Sequence, residues 1–212
     1  MLKTYFKNTI IIILVFYTSN VTNCANCGNL KLSKKYCDEA TNYQRGGNSN
    51  KAISYYTKAL QENPDYIDAL INRANLYTED IDNNALAMAD YTKVIKLDPK
   101  NTNSYISRAS CYAIAGDFNK ALLDFNKAIA LDPSNADTYR QRAQTQIRLN
   151  HFKPAIADLK QSAKLDPSYN ESPDCKKHFD GTILECQKFI KNNWTIETHP
   201  FLINGKPLPC LH

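Results

Sequence analysis

The sequence predicts an all-α protein built from stacked helical hairpins, and three observations carry this prediction. Four prolines recur at intervals of 35, 34 and 34 residues: Pro64, Pro99, Pro133 and Pro167. Small and large apolar residues precede each proline at helical spacing, as Ala121 and Phe125 do. Only 6 of 212 residues are glycine, which leaves little room for phosphate-binding loops or long linkers. A fixed period of this length is typical of an α-solenoid, in which each repeat buries its apolar face against its neighbours.

The composition excludes several classes of protein. The chain has 43% hydrophobic and 22% charged residues, which argues against wholesale disorder and against a polytopic membrane protein. Its 26 Lys+Arg and 21 Asp+Glu give a formal net charge of +5, too modest to indicate a nucleic-acid partner without a clustered basic face. We therefore expect no nucleic acid among its partners.

The N-terminal segment, residues 1–24, is predicted to be an export signal. Lys3 and Lys7 precede an apolar run, Ile10–Tyr17, and polar residues follow it. This order of positive, apolar and polar segments is typical of a secretory signal peptide. The run is less than half of the roughly 20 apolar residues that cross a bilayer. We expect an exported protein.

The processing of this segment has two interpretations. The residues Val21-Thr22-Asn23-Cys24 resemble the lipobox of bacterial lipoproteins, although Asn23 stands where that family usually has Gly or Ala. The resemblance implies acylation of Cys24 and a periplasmic or envelope-associated protein, with membrane contact only through that anchor. Ordinary cleavage beside Cys24 or Ala25 would leave a secreted protein instead. Eukaryotic secretion is a further alternative, with sequons at Asn170 and Asn193.

The first helix of each repeat is marked by three positions that form one buried stripe. They read Tyr36/Ala40/Tyr43, Leu70/Ala74/Tyr77, Tyr105/Ala109/Tyr112 and Tyr139/Ala143/Gln146. The Asp-Pro or Asn-Pro step should end each second helix, because proline cannot continue a helix interior. Gly47, Gly116 and Asn150 fall in the turns inside the hairpins, where a left-handed backbone is often needed.

These residues resemble the tetratricopeptide repeat family. After a short linker at 25–32, four copies fit the family pattern: residues 33–66, 67–101, 102–135 and 136–169. The resemblance implies eight helices in a solenoid. The second copy departs by one extra residue in its 79–84 loop, and the fourth by Gln146 and Ser162 at normally apolar positions.

The period stops after Asn170. Residues 170–193 are predicted to form a capping helix for the last repeat, with Ser172 as its N-cap. Its predicted apolar stripe is Cys175, Phe179, Ile183, Cys186 and Ile190. Residues 194–212 contain three prolines and an Asn-Gly turn signal, so an irregular, extended tail is expected.

Charged residues recur at two positions of the later repeats. The last three copies carry an arginine just before the small residue and an aspartate just before the aromatic residue or leucine: Arg73/Asp90, Arg108/Asp124 and Arg142/Asp158. The first copy has Glu39 and Tyr55 there, so both charges vanish together. We predict that each arginine pairs with the aspartate of its own repeat, since a partly buried arginine is usually held by a local carboxylate.

Seven cysteines in an exported chain indicate disulfides. Locally plausible pairs are Cys27 with Cys37, and Cys210 with Cys175 or Cys186, although sequence cannot settle the connectivity. Cys111 lies within a repeat helix and is predicted to be a buried free thiol.

The chain contains no recognisable catalytic or metal-binding motif, and its four histidines form no helical metal pair. We therefore expect no metal, no cofactor and no enzymatic activity. The alternative is a subunit of an envelope or secreted enzyme, with a site near the capping helix and tail around His178, His199 and Cys210.

The resemblance to the family implies a peptide or partner helix bound in a concave groove lined by the first helices. Carried over by position, the groove residues are Thr41, Ile71, Asn75, Ile106, Ser110, Arg140 and Gln144. The chaperone-binding subgroup has Lys and Asn in its first repeat where this chain has Cys37 and Thr41, so a chaperone tail is not the expected partner. The expected function is a protein-interaction scaffold of the envelope or secreted space that helps to assemble a complex.

Overall fold

A computed structural model describes residues 29–80, 83–167 and 173–193, with the backbone alone for 173–179. Within these ranges the chain forms helices and no strand, so the all-α prediction is confirmed. The first helix, α1, spans residues 29–45. The others are α2 Ser49–Glu62, α3 Ile67–Glu79, α4 Asn84–Leu97, α5 Thr102–Ile114, α6 Phe118–Leu131, α7 Ala136–Arg148, α8 Phe152–Leu165 and α9 Pro173–Asn192.

The turns inside three hairpins have the left-handed backbone that the sequence predicts. Gly47, Gly116 and Asn150 have φ values of 72°, 82° and 61°. In each turn, the residue after the left-handed one donates its backbone N–H to the carbonyl oxygen five residues earlier. The bond from Asn48 N to Tyr43 O is 2.9 Å long. The equivalent bonds in the other two turns are both 2.8 Å long. This pattern satisfies carbonyls that the end of a helix leaves without partners.

The second helices end at the predicted steps. Glu62, Leu97, Leu131 and Leu165 are the last residues of α2, α4, α6 and α8, each two residues before a proline. Asparagine then starts two of the following first helices: the side chains of Asn101 and Asn135 accept the N–H groups of Ser104 and Thr138, each at 3.0 Å. The Pro-containing step therefore stops one helix, and the asparagine cap begins the next.

The chain divides after Asn83 into two compact units. The first unit contains α1, α2 and α3. Its interior includes Ala40, Ala52 and Tyr56, each with no exposed surface. Ser33 ties the start of α1 to α2, because its hydroxyl donates to the carbonyl of Ala59 at 2.8 Å. Small residues on facing helices thus permit close approach, and the tyrosine ring fills the remaining space.

The second unit contains α4 to α9. In its third repeat, Ala109 of α5 packs with Ala121 and Phe125 of α6. At its C-terminal end, Cys186 and Phe189 of α9 join Phe152 and Leu159 of α8 in one buried cluster. The α9 helix therefore covers the last repeat, as the capping prediction requires.

Among the described side chains of α9, the buried stripe differs from the predicted one at the last turn. Phe189 is 1% exposed and lies 4.9 Å from Phe152 between ring centroids, whereas Ile190 is 38% exposed. Both residues fall near the helical period from Cys186, and the larger aromatic ring occupies the buried position.

Two polar residues replace apolar ones in the core of the fourth repeat. Gln146 and Ser162 are 8% and 1% exposed. Gln146 Oε1 and Ser162 Oγ have no hydrogen-bond partner in the part of the chain that the structure describes. A buried polar atom without a partner costs about 1–3 kcal/mol, so the fourth repeat is packed at a cost that the third avoids.

Several predicted features lie outside the described residues. They are the signal at 1–24 with the acylation site Cys24, the first half of the linker at 25–32, the N-cap Ser172, the sequon at Asn170, the tail at 194–212, and the side chains of Cys27, Cys175, His178, Phe179, His199 and Cys210. Among the helices that are described, none combines the length and apolar character that crossing a bilayer requires.

Candidate interaction surface

The first helices of the third and fourth repeats meet in a partly exposed polar surface. Ser110 of α5 donates its hydroxyl to Gln141 Oε1 of α7 at 2.7 Å. Ile106 lies one turn before Ser110 on α5, and Gln144 lies on the next turn of α7 after Gln141, all partly exposed. We call Ile106, Ser110, Gln141 and Gln144 the α5–α7 face. It includes three of the predicted groove residues, and it adds Gln141, which the sequence analysis missed.

Arg140 departs from its predicted role. It was expected to line the groove, but it is only 2% exposed. Its guanidinium contacts Asp137, one turn earlier on α7. Burial lowers the pKa of Arg140, and the negative charge of Asp166 partly opposes this effect. The sequence could not reveal the burial, because it depends on the elements that pack around α7.

The groove positions of the first unit differ in how much surface they offer to a ligand. Thr41 Oγ1 donates to the carbonyl oxygen of Cys37 at 3.0 Å and lies 3.2 Å from the hydroxyl of Tyr56. Cys37 is 6% exposed. Ile71 and Asn75 lie one turn apart on α3 and are partly exposed. Thr41 and Cys37 therefore offer little to a ligand, whereas Ile71 and Asn75 remain accessible.

Two predicted arginine–aspartate pairs are in bidentate contact. Arg108 donates from Nε and Nη2 to the Asp124 carboxylate at 2.7 and 2.8 Å. Arg142 makes the same contacts with Asp158 at 2.7 and 2.6 Å. The hydrogen bonds that Arg108 donates to Asp124 raise the pKa of Arg108. The pair Arg73 and Asp90 has one member in each unit and stays a prediction.

Each of these arginines also reaches the preceding second helix, which the sequence analysis missed. Arg108 Nη1 donates to Thr92 Oγ1 of α4 at 3.0 Å, and Arg142 Nη1 donates to Asn126 Oδ1 of α6 at 2.6 Å. In the first unit, Arg73 Nη1 donates to Thr57 Oγ1 of α2 at 3.0 Å. The signal was present: a hydroxyl or amide residue stands 16 residues before every one of these arginines. The arginine thus joins successive hairpins as well as the helices of one hairpin.

The first repeat has an aromatic ring where the later repeats have the guanidinium. Arg108 lies over Tyr105 and Tyr112, 6.0 and 5.8 Å from their ring centroids. In the first repeat, Tyr55 of α2 lies between the equivalent tyrosines of α1. Its ring centroid is 6.2 Å from that of Tyr36 and 5.1 Å from that of Tyr43.

The described thiols are poor nucleophiles. Cys37, Cys111 and Cys186 are buried and free. Burial raises the pKa of Cys111 and of Cys186 to about 11. The free, buried state of Cys111 is as predicted. Because Cys37 and Cys186 are also free, the structure does not show the disulfides predicted for these two residues. The alternative pair of Cys175 with Cys210 lies outside the described side chains and stays a prediction.

A profile of the tetratricopeptide repeat family matches residues 102–135, and a second profile with the same description matches residues 36–66, 67–101 and 136–169. The chain belongs to the tetratricopeptide repeat family. Within the described residues of this family member, no group of three or more His, Cys, Asp or Glu side chains could hold a metal ion. Tetratricopeptide repeats are typically protein-interaction modules.

Solved structures share the tetratricopeptide fold at low sequence identity. MamA is 20% identical with a TM-score of 0.64, and the match covers 84% of this chain and 99% of MamA. The TPR domain of Arabidopsis OM64 is 25% identical with a TM-score of 0.52, covering 56% of this chain and 97% of that domain. The first TPR of Spaghetti (RPAP3), bound to the HSP90 peptide SRMEEVD, is 21% identical with a TM-score of 0.54, covering 57% and 94%. A comparison with curated proteins finds no significant match.

Proposed function

We propose that the protein is a non-catalytic scaffold that binds a peptide or partner helix on the α5–α7 face. The observation that carries this proposal is the contact between Ser110 and Gln141, which brings two first helices together beside Ile106 and Gln144. Amide and hydroxyl groups can bond the backbone of a bound segment, while an isoleucine receives an apolar side chain. Such a face selects a segment by its shape and hydrogen bonds more than by its charge.

The proposed ligand differs in chemistry from an acidic chaperone tail. Spaghetti holds the HSP90 peptide SRMEEVD on its first TPR, which supports peptide binding by this fold. In the present chain, however, Thr41 and Cys37 are engaged inside the first unit, and Arg140 is buried against Asp137. The α5–α7 face therefore offers neutral donors and acceptors, which suit an uncharged or mixed segment.

The chemistry of the described side chains supports a role without catalysis. A catalytic cysteine works as a thiolate. The raised pKa values of Cys111 and Cys186 keep both thiols protonated near neutral pH. The enzyme-subunit alternative would depend on His178, His199 and Cys210, whose side chains lie outside the described residues. Truncation after Asn193 separates the two functions. Loss of an enzymatic activity with peptide binding retained would favour the enzyme subunit.

We place the scaffold in the cell envelope or secreted space, where it would help to assemble a larger complex. The support is the signal-like segment at 1–24 in the sequence. Mass spectrometry of the processed protein tests this placement, because it reports whether the mature chain begins at Cys24 and carries an acyl group.

A photo-crosslinking experiment tests the binding face. A photoreactive phenylalanine at Gln144 should crosslink the native partner in cells of the source organism, and Ile106→Asp should remove most of that crosslink. Leu123 of α6 is 69% exposed and supplies the control position. Equal crosslinking from both positions, or an Ile106→Asp signal unchanged while circular dichroism remains native, would refute binding on the α5–α7 face.

A peptide assay tests the expected ligand chemistry. The purified full chain should bind SRMEEVD no better than a scrambled peptide of the same composition, as measured by fluorescence anisotropy. Binding of SRMEEVD well above the scrambled control would contradict the proposed preference for segments that are not acidic tails.

A further inference from the structure

The outer side of the first hairpin carries tyrosines beside lysines. On α1, Leu32, Tyr36 and Tyr43 follow one another at i, i+4 and i+11, and they therefore lie on one side of the helix. On α2, Lys51, Tyr55 and Lys58 follow at i, i+4 and i+7. We call these six residues the tyrosine face.

The rings and lysines of the tyrosine face form one connected group. Tyr55 lies against both Tyr36 and Tyr43, as described above. Lys51 Nζ lies 5.2 Å from the Tyr43 ring centroid, and Lys58 Nζ lies 4.3 Å from that of Tyr55. Both lysines are exposed and the three rings are partly exposed. The surface thus combines an aromatic centre with positive charges at its rim.

The matching surface of the third and fourth repeats is partly covered by the preceding helix. In the third repeat, α4 packs against α5, and Tyr105 is only 8% exposed. In the fourth repeat, α6 packs against α7 in the same way. In the described part of the chain no helix precedes α1, and Leu30 and Leu32 in its first two turns are 53% and 36% exposed. An apolar surface that a preceding helix partly covers in the third and fourth repeats is therefore more accessible in the first repeat.

The charge of the hairpin indicates an anionic partner. Residues 29–62 contain six Lys or Arg and three Asp or Glu. Glu39 is the one acidic residue on the side of α1 that carries Leu32, Tyr36 and Tyr43. Its Oε1 lies 3.9 Å from Lys35 Nζ, so the charge of Lys35 offsets that of Glu39. Lys31 and Lys34 are exposed on the same helix. The tyrosine face is consequently positive as well as aromatic.

The position of this hairpin in the chain favours a lipid surface over a protein. The apolar run Ile10–Tyr17 precedes α1, and Cys24 stands five residues before residue 29. An extended chain spans at most about 3.6 Å per residue, so an acyl anchor at Cys24 would hold the start of α1 within about 18 Å of the bilayer. Such an anchor would keep the tyrosine face within reach of the lipid headgroups.

We propose that the tyrosine face docks on the surface of a membrane that contains anionic phospholipids. Tyrosine is enriched at membrane–water interfaces, where its ring meets the acyl boundary and its hydroxyl meets water. Lysines near an anionic bilayer contribute about 1 kcal/mol each. The membrane contact would therefore extend beyond an acyl chain at Cys24 to the folded hairpin. This inference rests on the envelope placement in the proposed function and is independent of peptide binding.

Vesicle flotation of the full chain tests this inference. Phosphatidylcholine vesicles with 30% phosphatidylglycerol should bind the wild-type chain at least ten-fold more tightly than pure phosphatidylcholine vesicles in 0.1 M salt. Because N-terminal residues could bind both types of vesicle, the readout is the ratio of the two affinities. The double variant Lys51→Glu/Lys58→Glu should bring the ratio of the two affinities close to one. Tyr55→Ser should weaken binding to both types of vesicle.

Matched controls keep the test decisive. Lys153 and Lys160 are exposed on α8, and their double reversal to Glu makes the same change in net charge away from the tyrosine face. If this control lowers the ratio equally, or if the wild type shows no preference for anionic vesicles, the inference is wrong. Binding to poly-L-glutamate that is tighter than binding to the anionic vesicles at equal charge would also overturn it, in favour of an acidic protein partner. The assay contains no peptide, so these outcomes leave binding on the α5–α7 face untouched.

Discussion

The first and third repeats have the same length pattern, and each folds as a helical hairpin. They differ in the residues at the two positions where the third repeat has Arg108 and Asp124. In the third repeat, Arg108 connects α5 to Asp124 of α6 and to Thr92 of the preceding helix. In the first repeat the same two positions are Glu39 and Tyr55. Tyr55 lies against two rings, and no repeat precedes it in the described residues.

The difference shows which residues serve the hairpin and which serve the stack. Alanine and a large ring occur at the centre of both hairpins, because these residues decide how closely two helices approach. The arginine occurs where a preceding helix supplies Thr57, Thr92 or Asn126 as a further acceptor. A repeat with no such neighbour can replace the ion pair with exposed aromatic rings and use them for another contact.

The largest loss of stability is expected from breaking the ion pair between Arg108 and Asp124 in the third repeat. The side chains of Arg108 and Asp124 are 15% and 9% exposed, so Asp124→Asn leaves a largely buried guanidinium without its counter-charge. We expect the free energy of unfolding to fall by about 2–4 kcal/mol, measured by urea denaturation. Asp117→Asn is the control, because its ion pair with Lys120 is exposed and screened by solvent, so the free energy of unfolding should hardly change. An unchanged stability in Asp124→Asn would show that the pair is not needed for the stack.

A smaller loss of stability should follow when the pH is raised, because of the buried thiol of Cys111 in the same repeat. Burial alone raises the pKa of Cys111 from 9.0 to about 11, whereas the thiol of Cys37 in the first repeat is also influenced by Asp68 and Asp38. Between these pH values the unfolded chain releases the Cys111 proton and the folded chain retains it, so stability falls as the pH rises.

Comparison with Cys111→Ala isolates this contribution. The wild-type chain should lose roughly 2 kcal/mol more than the variant between pH 9 and pH 11, measured by urea denaturation at each pH. Parallel curves for the two proteins would mean that the thiol ionises equally in both states, which its burial does not allow.

The smallest effect is expected from giving the first repeat the charges of the third. Tyr55→Asp alone would place a carboxylate near Glu39, and Glu39→Arg alone would lack a counter-charge. The double substitution should therefore show a favourable coupling in a double-mutant cycle measured by urea denaturation. The net change in the free energy of unfolding should be small, because the pair lies at a more exposed surface. Strict additivity would mean that the two hairpins are not equivalent at these positions.

Much of the fold could be predicted from the sequence because its determinants are local. Proline ended α2, α4, α6 and α8 at the expected steps, since it lacks an N–H and restricts the residue before it. The left-handed turns at Gly47, Gly116 and Asn150 follow from residue types that tolerate positive φ. The recurrence of Arg with Asp was also enough to anticipate the contacts of Arg108 and Arg142.

The candidate site was less accessible to prediction because exposure is not a local property. Arg140 occupies a groove position by sequence, but its surroundings bury it. Gln141 was missed because its role depends on a hydrogen bond from Ser110, which lies on another helix 31 residues away in the sequence. On α9, the choice of Phe189 over Ile190 depended on the shape of the cluster around Phe152.

The sequence by itself determined the period, the helix ends and the residues at the centre of each hairpin. These features depend on backbone restrictions and on side-chain size, which every residue carries with it. Only the tertiary structure decided which polar groups meet and which rings face solvent. Those outcomes depend on what the next element in space covers, and a linear pattern does not contain that information.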